Sequence, residues 1–318
     1  MTTMAVFLDI SKAYDSTWHT GLIYKLVTMN VPGELIRVID SFLAQRSFRV
    51  KMDGAFSGWR PMLAGVPQGS LLSPLLYNLY NADIPKSIVS ELALYADDIC
   101  IYDQTKKPKY AYLSVQHHLN DIGRWASRSR IKINSDKSSA ITFSRKKSID
   151  VPKLMLDNEH IDYVQECRYL GVHLQRRLNW NGHCQAMRTK ALGTLGQLIP
   201  LLQSSLPQKS KLLLYKSYVR PQMTYASPAW AFISKTNMNR LQVVQNKALR
   251  IIGGYDWYTR TEQLHFDNEI LMLNSFIKKL ASKLYASAKT SRNKYIRKLG
   301  SNSKVLTQRA RKPSHLLI

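Results

Sequence analysis

The chain has 318 residues, 45% hydrophobic and 21% charged, the composition of a globular protein with one large core or two modest ones. Lys and Arg number 46 against 21 Asp and Glu, and a net charge of +25 points to a polyanionic partner. No run of 18 or more apolar residues occurs, which excludes a membrane-spanning helix, and the start MTTMAVFLDI is too short and lacks the basic leader of a signal peptide.

In chain order, residues 4–10 (MAVFLDI) read as a strand that carries Asp9 after Val6, Phe7 and Leu8. Residues 16–45 contain a helical stretch, with Leu22, Leu26, Leu35, Ile36 and Ile39 at partly helical spacing and Pro32-Gly33 as a break. FRVKMDG (48–54) alternates and ends in Asp-Gly, a strand entering a turn. AGVPQGSLLSPLLYNLYNADIP (64–85) is a Gly/Pro/Gln loop opening into a helix, with Ser70 or Ser73 as its cap and Pro74 just inside. LALYADDICIY (92–102) places two β-rich runs around a polar break, a hairpin with Asp97 and Asp98 at its tip. Adjacent carboxylates there are costly unless something pairs them. Either the pair is a solvated turn, or it holds a divalent cation such as Mg²⁺, which takes carboxylates together with substrate phosphates.

Residues 111–127 read as a helix, with Leu119, Ile122, Trp125 and Ala126 on one side. IKINSDKSSAITF (131–143) reads as two short strands around a polar turn, and 154–174 as further short strands. From about 183 the period is helical throughout. Leu192, Leu195, Leu198, Ile199 and Leu202 form one stripe. Leu273, Phe276, Ile277, Leu280, Ala281, Leu284, Tyr285 and Ala288 form another, with Lys278, Lys279, Lys283 and Lys289 largely off it. The fold class expected is α+β over about the first 165 residues, then a short hairpin, then all-α. Charge follows this division. Residues 1–150 hold 19 basic and 13 acidic residues, and 151–318 hold 27 and 8, so the second half is the better surface for a phosphate backbone. Cys100, Cys167 and Cys184 are odd in number and lack metal-ligand spacing, which fits a reducing nuclear or cytosolic compartment. The basic runs KKPK (106–109) and SRKK (144–147) read as solvated loops, with nuclear import as the other reading.

Five motifs in order, FLDISKAYD (7–15), AGVPQGSLLSPLLYNLY (64–80), YADD (95–98), INSDKS (133–138) and YLGVHL (169–174), resemble the reverse transcriptases of non-long-terminal-repeat (LINE-type) retrotransposons, in particular the jockey-like group. The resemblance continues through RPQMTYASPAW (220–230) and LQVVQNKALRIIGG (241–254). It implies a right-hand polymerase palm over 1–165, a primer-grip hairpin over 166–179 and a helical thumb with a C-terminal extension over 180–318. It also implies a fragment without the endonuclease and most of the fingers. The implied activity is RNA-directed DNA polymerisation onto a primer 3′-hydroxyl, with an RNA template, a DNA primer and dNTPs as partners. Two Mg²⁺ ions, for which Mn²⁺ can substitute, would be held by Asp9, Asp97 and Asp98. Tyr14 would select deoxynucleotides, at a place where relatives often carry Phe, and Asp15 belongs to the same pattern. Gln68 and Gly69 would contact the nucleotide and template base, and Lys137 would approach the triphosphate and serve as a catalytic acid. Tyr169, Leu170 and Gly171 would hold the primer end. A nuclear or cytoplasmic ribonucleoprotein is implied, with the oligomeric state left open. A catalytically silent nucleic-acid-binding remnant is the alternative.

Overall fold

A computed structural model describes residues 1–146 and 150–300. The chain forms two compact units, residues 1–171 and 172–318, with the division at the Leu170-Gly171 turn. The first contains β1 (Thr2–Ile10), α1 (His19–Thr28), α2 (Gly33–Leu43), β2 (Ser47–Phe48), β3 (Lys51–Met52), β4 (Ala55–Phe56), β5 (Arg60–Pro61), α3 (Ser73–Tyr80), β6 (Glu91–Tyr95) and β7 (Asp98–Thr105). These are followed by α4 (Pro108–Arg128), β8 (Ile133–Phe143), β9 (Leu154–Leu156), β10 (Glu159–Tyr163) and β11 (Glu166–Tyr169). Six strands form one sheet in the order β6-β7-β1-β8-β10-β9, so β1 is central although it comes first in the chain.

The core explains the register. Met4, Val6, Leu8 and Ile10 alternate onto one face of β1 and are buried with Ile99 and Ile101 of β7 and Leu119 and Ile122 of α4. Burying each such side chain contributes about 1.5–3 kcal/mol, so a one-residue slip, which turns the whole set outward, is strongly disfavoured. The register that results pairs Phe7 with Cys100 and Leu8 with Ile99.

Three sequence readings need correction here. The helix at 73–80 is not capped by Ser70 or Ser73. Leu72 occupies the cap position without a side-chain bond, Ser73 is the first helical residue, and the Ser70 hydroxyl accepts from the Leu72 N–H at 3.2 Å. Residues 133–143 form one strand rather than two. The polar turn survives as a bulge, because β1 pairs Phe7 with Ser139 but Asp9 with Asn134. The strand expected at 48–54 is two short pieces, although its turn at Asp53-Gly54 is present, with φ +48° and +85°. The expected break at Pro32-Gly33 separates α1 from α2. Lys106, Lys107 and Lys109 are exposed at the start of α4, and Lys147 lies outside the described residues.

The second unit opens with β12 (Val172–Gln175) and is otherwise helical: α5 (Asn181–Gln203), α6 (Gln208–Leu214), a π-helical turn at Tyr215–Val219, α7 (Arg220–Thr224), α8 (Ser227–Trp230), α9 (Lys235–Gly253), α10 (Thr261–Asp267), α11 (Leu273–Lys289) and α12 (Lys294–Gly300). The seam of α5 runs through Cys184, Met187, Ala191, Leu195 and Leu202; Leu192, Leu198 and Ile199 flank it half-buried. On α11, Leu273, Ile277, Ala281, Tyr285 and Ala288 are buried, whereas Leu284 of the expected stripe is 46% exposed. Lys278, Lys279, Lys283 and Lys289 point to solvent. No helix among the described residues is long and apolar enough to cross a membrane.

Candidate active site

The sheet brings the acids together. Because Leu8 faces Ile99, the next positions along β1 and β7 are Asp9 and Asp98, both on the sheet face that carries Phe7 and Cys100. Tyr95 pairs with Asp98, so Ala96 and Asp97 form a two-residue turn, with Ala96 at φ +54°. The hairpin thus carries one carboxylate at its turn and one at its last pair. Asp9 is half-buried and its N–H donates to the Ser138 hydroxyl at 3.2 Å. Partial burial pushes the Asp98 carboxyl above its ordinary pKa, and the carboxylates of Asp97 and Asp9 push the same way. Among the described residues no Lys, Arg or His forms an ion pair with any of the three.

Unpaired carboxylates, two of which lie close enough to raise the pKa of Asp98, suit a divalent cation in their donor chemistry. Their placement differs from a finished metal centre. Among the described residues no group of three or more His, Cys, Asp or Glu is gathered tightly enough to hold an ion alone. Like charges repel when no cation lies between them, and Mg²⁺ completes its shell with water and substrate oxygens rather than with an all-protein cage.

The loop before α3 is pinned to the segment after β1. Val66 N–H donates to Tyr14 O and Gly65 N–H to Thr17 O, each at 2.8 Å, and Trp18 bridges Ala64. His19 Nε2 and Arg46 Nη1 reach Gly65 O at 2.8 and 2.9 Å. Gly65 has φ +92°, and a Cβ there would stand 2.8 Å from Asp15 O, so only glycine fits. This docking places Gln68, whose Nε2 donates to Asp15 Oδ1 at 2.9 Å. Gly69 follows at φ +87° and faces open space.

Tyr14 stacks on Tyr77 of α3, with ring centroids 4.8 Å apart. Burial pushes the Tyr77 hydroxyl up to about 12; the Asn81 side chain opposes this, while Asp97 and Tyr14 add to it. Tyr77 therefore backs Tyr14 from α3. Sequence reasoning missed it because it looks like one more core aromatic; the signal was its place inside the AGVPQGSLLSPLLYNLY match. Gly65 was missed likewise, beside Gln68 and Gly69 in the same loop.

Tyr169 packs on Phe7 with centroids 4.8 Å apart, and its hydroxyl is pushed up to about 12 by burial, then by Cys100 and Asp98. Leu170 and Gly171 turn the chain at φ +46° and +77°. Lys137 rides the β8 bulge next to Asn134, the partner of Asp9; its backbone N–H donates to Asn134 Oδ1 at 3.3 Å and its side chain is exposed. The structure thus groups the three acids at the hairpin, with Tyr169 on the neighbouring Phe7, and Tyr14, Tyr77, Asp15 and Gln68 around the docked loop. A broad groove of about 1180 Å³ along α4, lined by Tyr112, Gln116, Arg124 and Asp157 among others, includes none of these residues.

Residues 1–174 match the family described as reverse transcriptase (RNA-dependent DNA polymerase). The chain is 33% identical over 310 residues to the RNA-directed DNA polymerase from mobile element jockey of Drosophila melanogaster, covering 94% of this chain and 33% of that protein. It is 32% identical to a probable RNA-directed DNA polymerase from the X-element transposon of the same fly, covering 98% and 35%. The chain therefore spans about a third of the length of these curated relatives. Among solved structures, apo telomerase from Candida tropicalis aligns with a TM-score of 0.43 and 11% identity, over 93% of this chain and 53% of that one.

Proposed function

The chain belongs to the reverse transcriptase (RNA-dependent DNA polymerase) family, and from that premise we propose that it is the polymerase core of a jockey-like mobile element, extending a DNA primer on an RNA template with dNTPs. The observation that carries this reading is the register that sets Asp9 beside Asp98, with Asp97 at the adjoining turn and, among the described residues, no ion pair on any of them, in a chain of net charge +25. Reverse transcriptases generally use divalent metal ions. Asp9, Asp97 and Asp98, with the substrate phosphates, would hold two Mg²⁺, or Mn²⁺ in their place, which would supply activation of the attacking 3′-hydroxyl and charge neutralisation on the leaving pyrophosphate. In this reading Asp9 and Asp97 would hold the ions and Asp98 would support them.

The remaining residues orient and exclude. Tyr14, held flat by Tyr77, lies under the sugar and rejects a 2′-hydroxyl. Gln68, aimed by its bond to Asp15, touches the incoming nucleotide, and Gly69 leaves room for the template base. Lys137, on the bulge beside Asp9, faces the triphosphate and offers a proton to pyrophosphate. Tyr169, Leu170 and Gly171 form the primer grip. Residues 1–165 then act as palm, 166–179 as primer-grip hairpin and 180–318 as thumb, in a nuclear or cytoplasmic ribonucleoprotein. A silent remnant is the weaker reading, because the acids and the docked loop are intact.

Primer extension on an RNA template by the purified chain, beside Asp97→Ala, tests this. Loss of a metal-binding carboxylate should cost at least about a hundredfold, since outer partners alone cost 10–100-fold. Equal extension by both proteins would refute the assignment.

A further inference from the structure

From Ser47 to Pro61 every residue is exposed, although the segment is paired, β2 with β5 and β3 with β4. A two-stranded ribbon with no buried face is marginal in water. Its root is nevertheless fixed: Met62 N–H donates to Arg46 O at 2.8 Å, and Arg46 Nη1 donates to Gly65 O at 2.9 Å. The ribbon is therefore held in place but presents both faces outward. Those faces are not neutral. Phe48, Phe56 and Trp59 are 47%, 52% and 64% exposed. The Arg49 guanidinium lies 3.9 Å from the centre of the Phe56 ring and 4.8 Å from that of Trp59, and Lys51 Nζ is 5.4 Å from the Phe56 ring. Residues 46–61 carry Arg46, Arg49, Lys51 and Arg60 against one acid, Asp53, at the turn. Among the described residues, Arg49, Lys51 and Arg60 make no ion pair.

We propose that this ribbon is a nucleic-acid contact outside the carboxylate site, and that it takes a single strand. Exposed rings interleaved with unpaired cations offer stacking surfaces for bases and counter-charges for phosphates. A duplex satisfies the cations but buries its base faces, so it leaves Trp59 and Phe48 unused. A purely apolar protein partner leaves Arg49, Lys51 and Arg60 without counter-charges. Trp59 and Phe48 stack bases; Arg49, Lys51 and Arg60 meet the backbone. The proposal rests on the reading that the chain handles nucleic acid, and it does not depend on the carboxylates being active.

The test is fluorescence anisotropy of the full chain with labelled single-stranded RNA, single-stranded DNA and a blunt duplex, each about 20 nucleotides long, a length that covers one stacking groove. Trp59→Ala should weaken binding of one or both single strands about tenfold, the scale of one lost base stack, and change duplex binding by less than about twofold. Trp59→Phe should keep the affinity while losing part of the tryptophan quenching seen on binding. Arg49→Ala/Lys51→Ala/Arg60→Ala should lower the salt slope for the single strand by about 2–3. Circular dichroism melting should match wild type, because nothing buried is removed. Which strand responds more, RNA or DNA, identifies the source of the ligand. Wild-type single-strand affinity in Trp59→Ala, or equal losses for strand and duplex, would overturn the proposal. Primer extension by wild type and Asp97→Ala, run alongside, keeps the two readings apart: the ribbon variants weaken strand binding whether or not the chain polymerises.

Discussion

At the scale of single residues, Asp98 carries the clearest energetic signature. Its carboxyl is raised by burial and then by Asp97 and Asp9, so the folded chain binds a proton there more readily than the unfolded chain does. Stability linked to that proton is fully present below the usual carboxylate range and is lost as pH rises through the raised value. Asp98→Asn should therefore raise Tm at pH 7, and the gain should disappear near pH 3. Asp98 is largely exposed, so solvent screening limits the gain to about 1–3 °C. Added Mg²⁺ should raise the Tm of wild type more than that of the variant. Scanning calorimetry at both pH values checks this; a gain of equal size at pH 3 would point to a cause other than charge.

At the scale of elements, the docked loop separates two kinds of glycine requirement. Gly65 combines φ +92° with a 2.8 Å approach to Asp15 O, whereas Gly69 has φ +87° and open space. Gly65→Ala should cost about 2–3 kcal/mol and Gly69→Ala about 1 kcal/mol, read as shifts in the urea midpoint. Equal costs would mean that the loop does not pack on Asp15 as described. A second element-scale device is Lys25 on α1. Its ammonium bonds Tyr80 O and Asp83 at 2.7 Å and the Ser129 hydroxyl at 3.0 Å, tying α1 to the ends of α3 and α4. Lys25→Met should destabilise by about 1–2 kcal/mol, toward the lower end because Asp83 stays half exposed. Urea unfolding with an unchanged midpoint would show that the tie is dispensable.

At the scale of the molecule, charge is the dominant asymmetry. Residues 172–318 hold 25 Lys and Arg against 4 Asp and Glu, while the candidate acids all lie in the first unit. Neutralising several phosphates releases counterions, so affinity for a primer–template should fall at least about tenfold between 50 and 200 mM salt. Filter binding across that range measures the slope, and a flat response would remove the argument from charge.

The sequence by itself determined the family, the α+β-then-α order, the break at Pro32-Gly33, the hairpin at 92–102 and the two carboxylates at its tip. It could do so because each is written in a local pattern: alternation, helical spacing, turn residues, or two adjacent carboxylates between apolar runs. It did not reach the α5 seam, because the smaller Cys184 and Ala191 line it while larger leucines flank it. Nor did it reach the bulge that carries Lys137, because a polar turn inside a strand and a break between strands share one composition. Only the tertiary structure decided that Asp9 lies beside Asp98, since that neighbour relation is set by the buried face of β1 and not by anything near either residue. It alone decided that the 65–69 loop docks on residues 14–17, that Tyr77 stacks on Tyr14, and that the 47–61 ribbon is left without a buried face. All of these are contacts between segments distant in the chain, where packing and pairing choose among partners that local patterns leave equivalent.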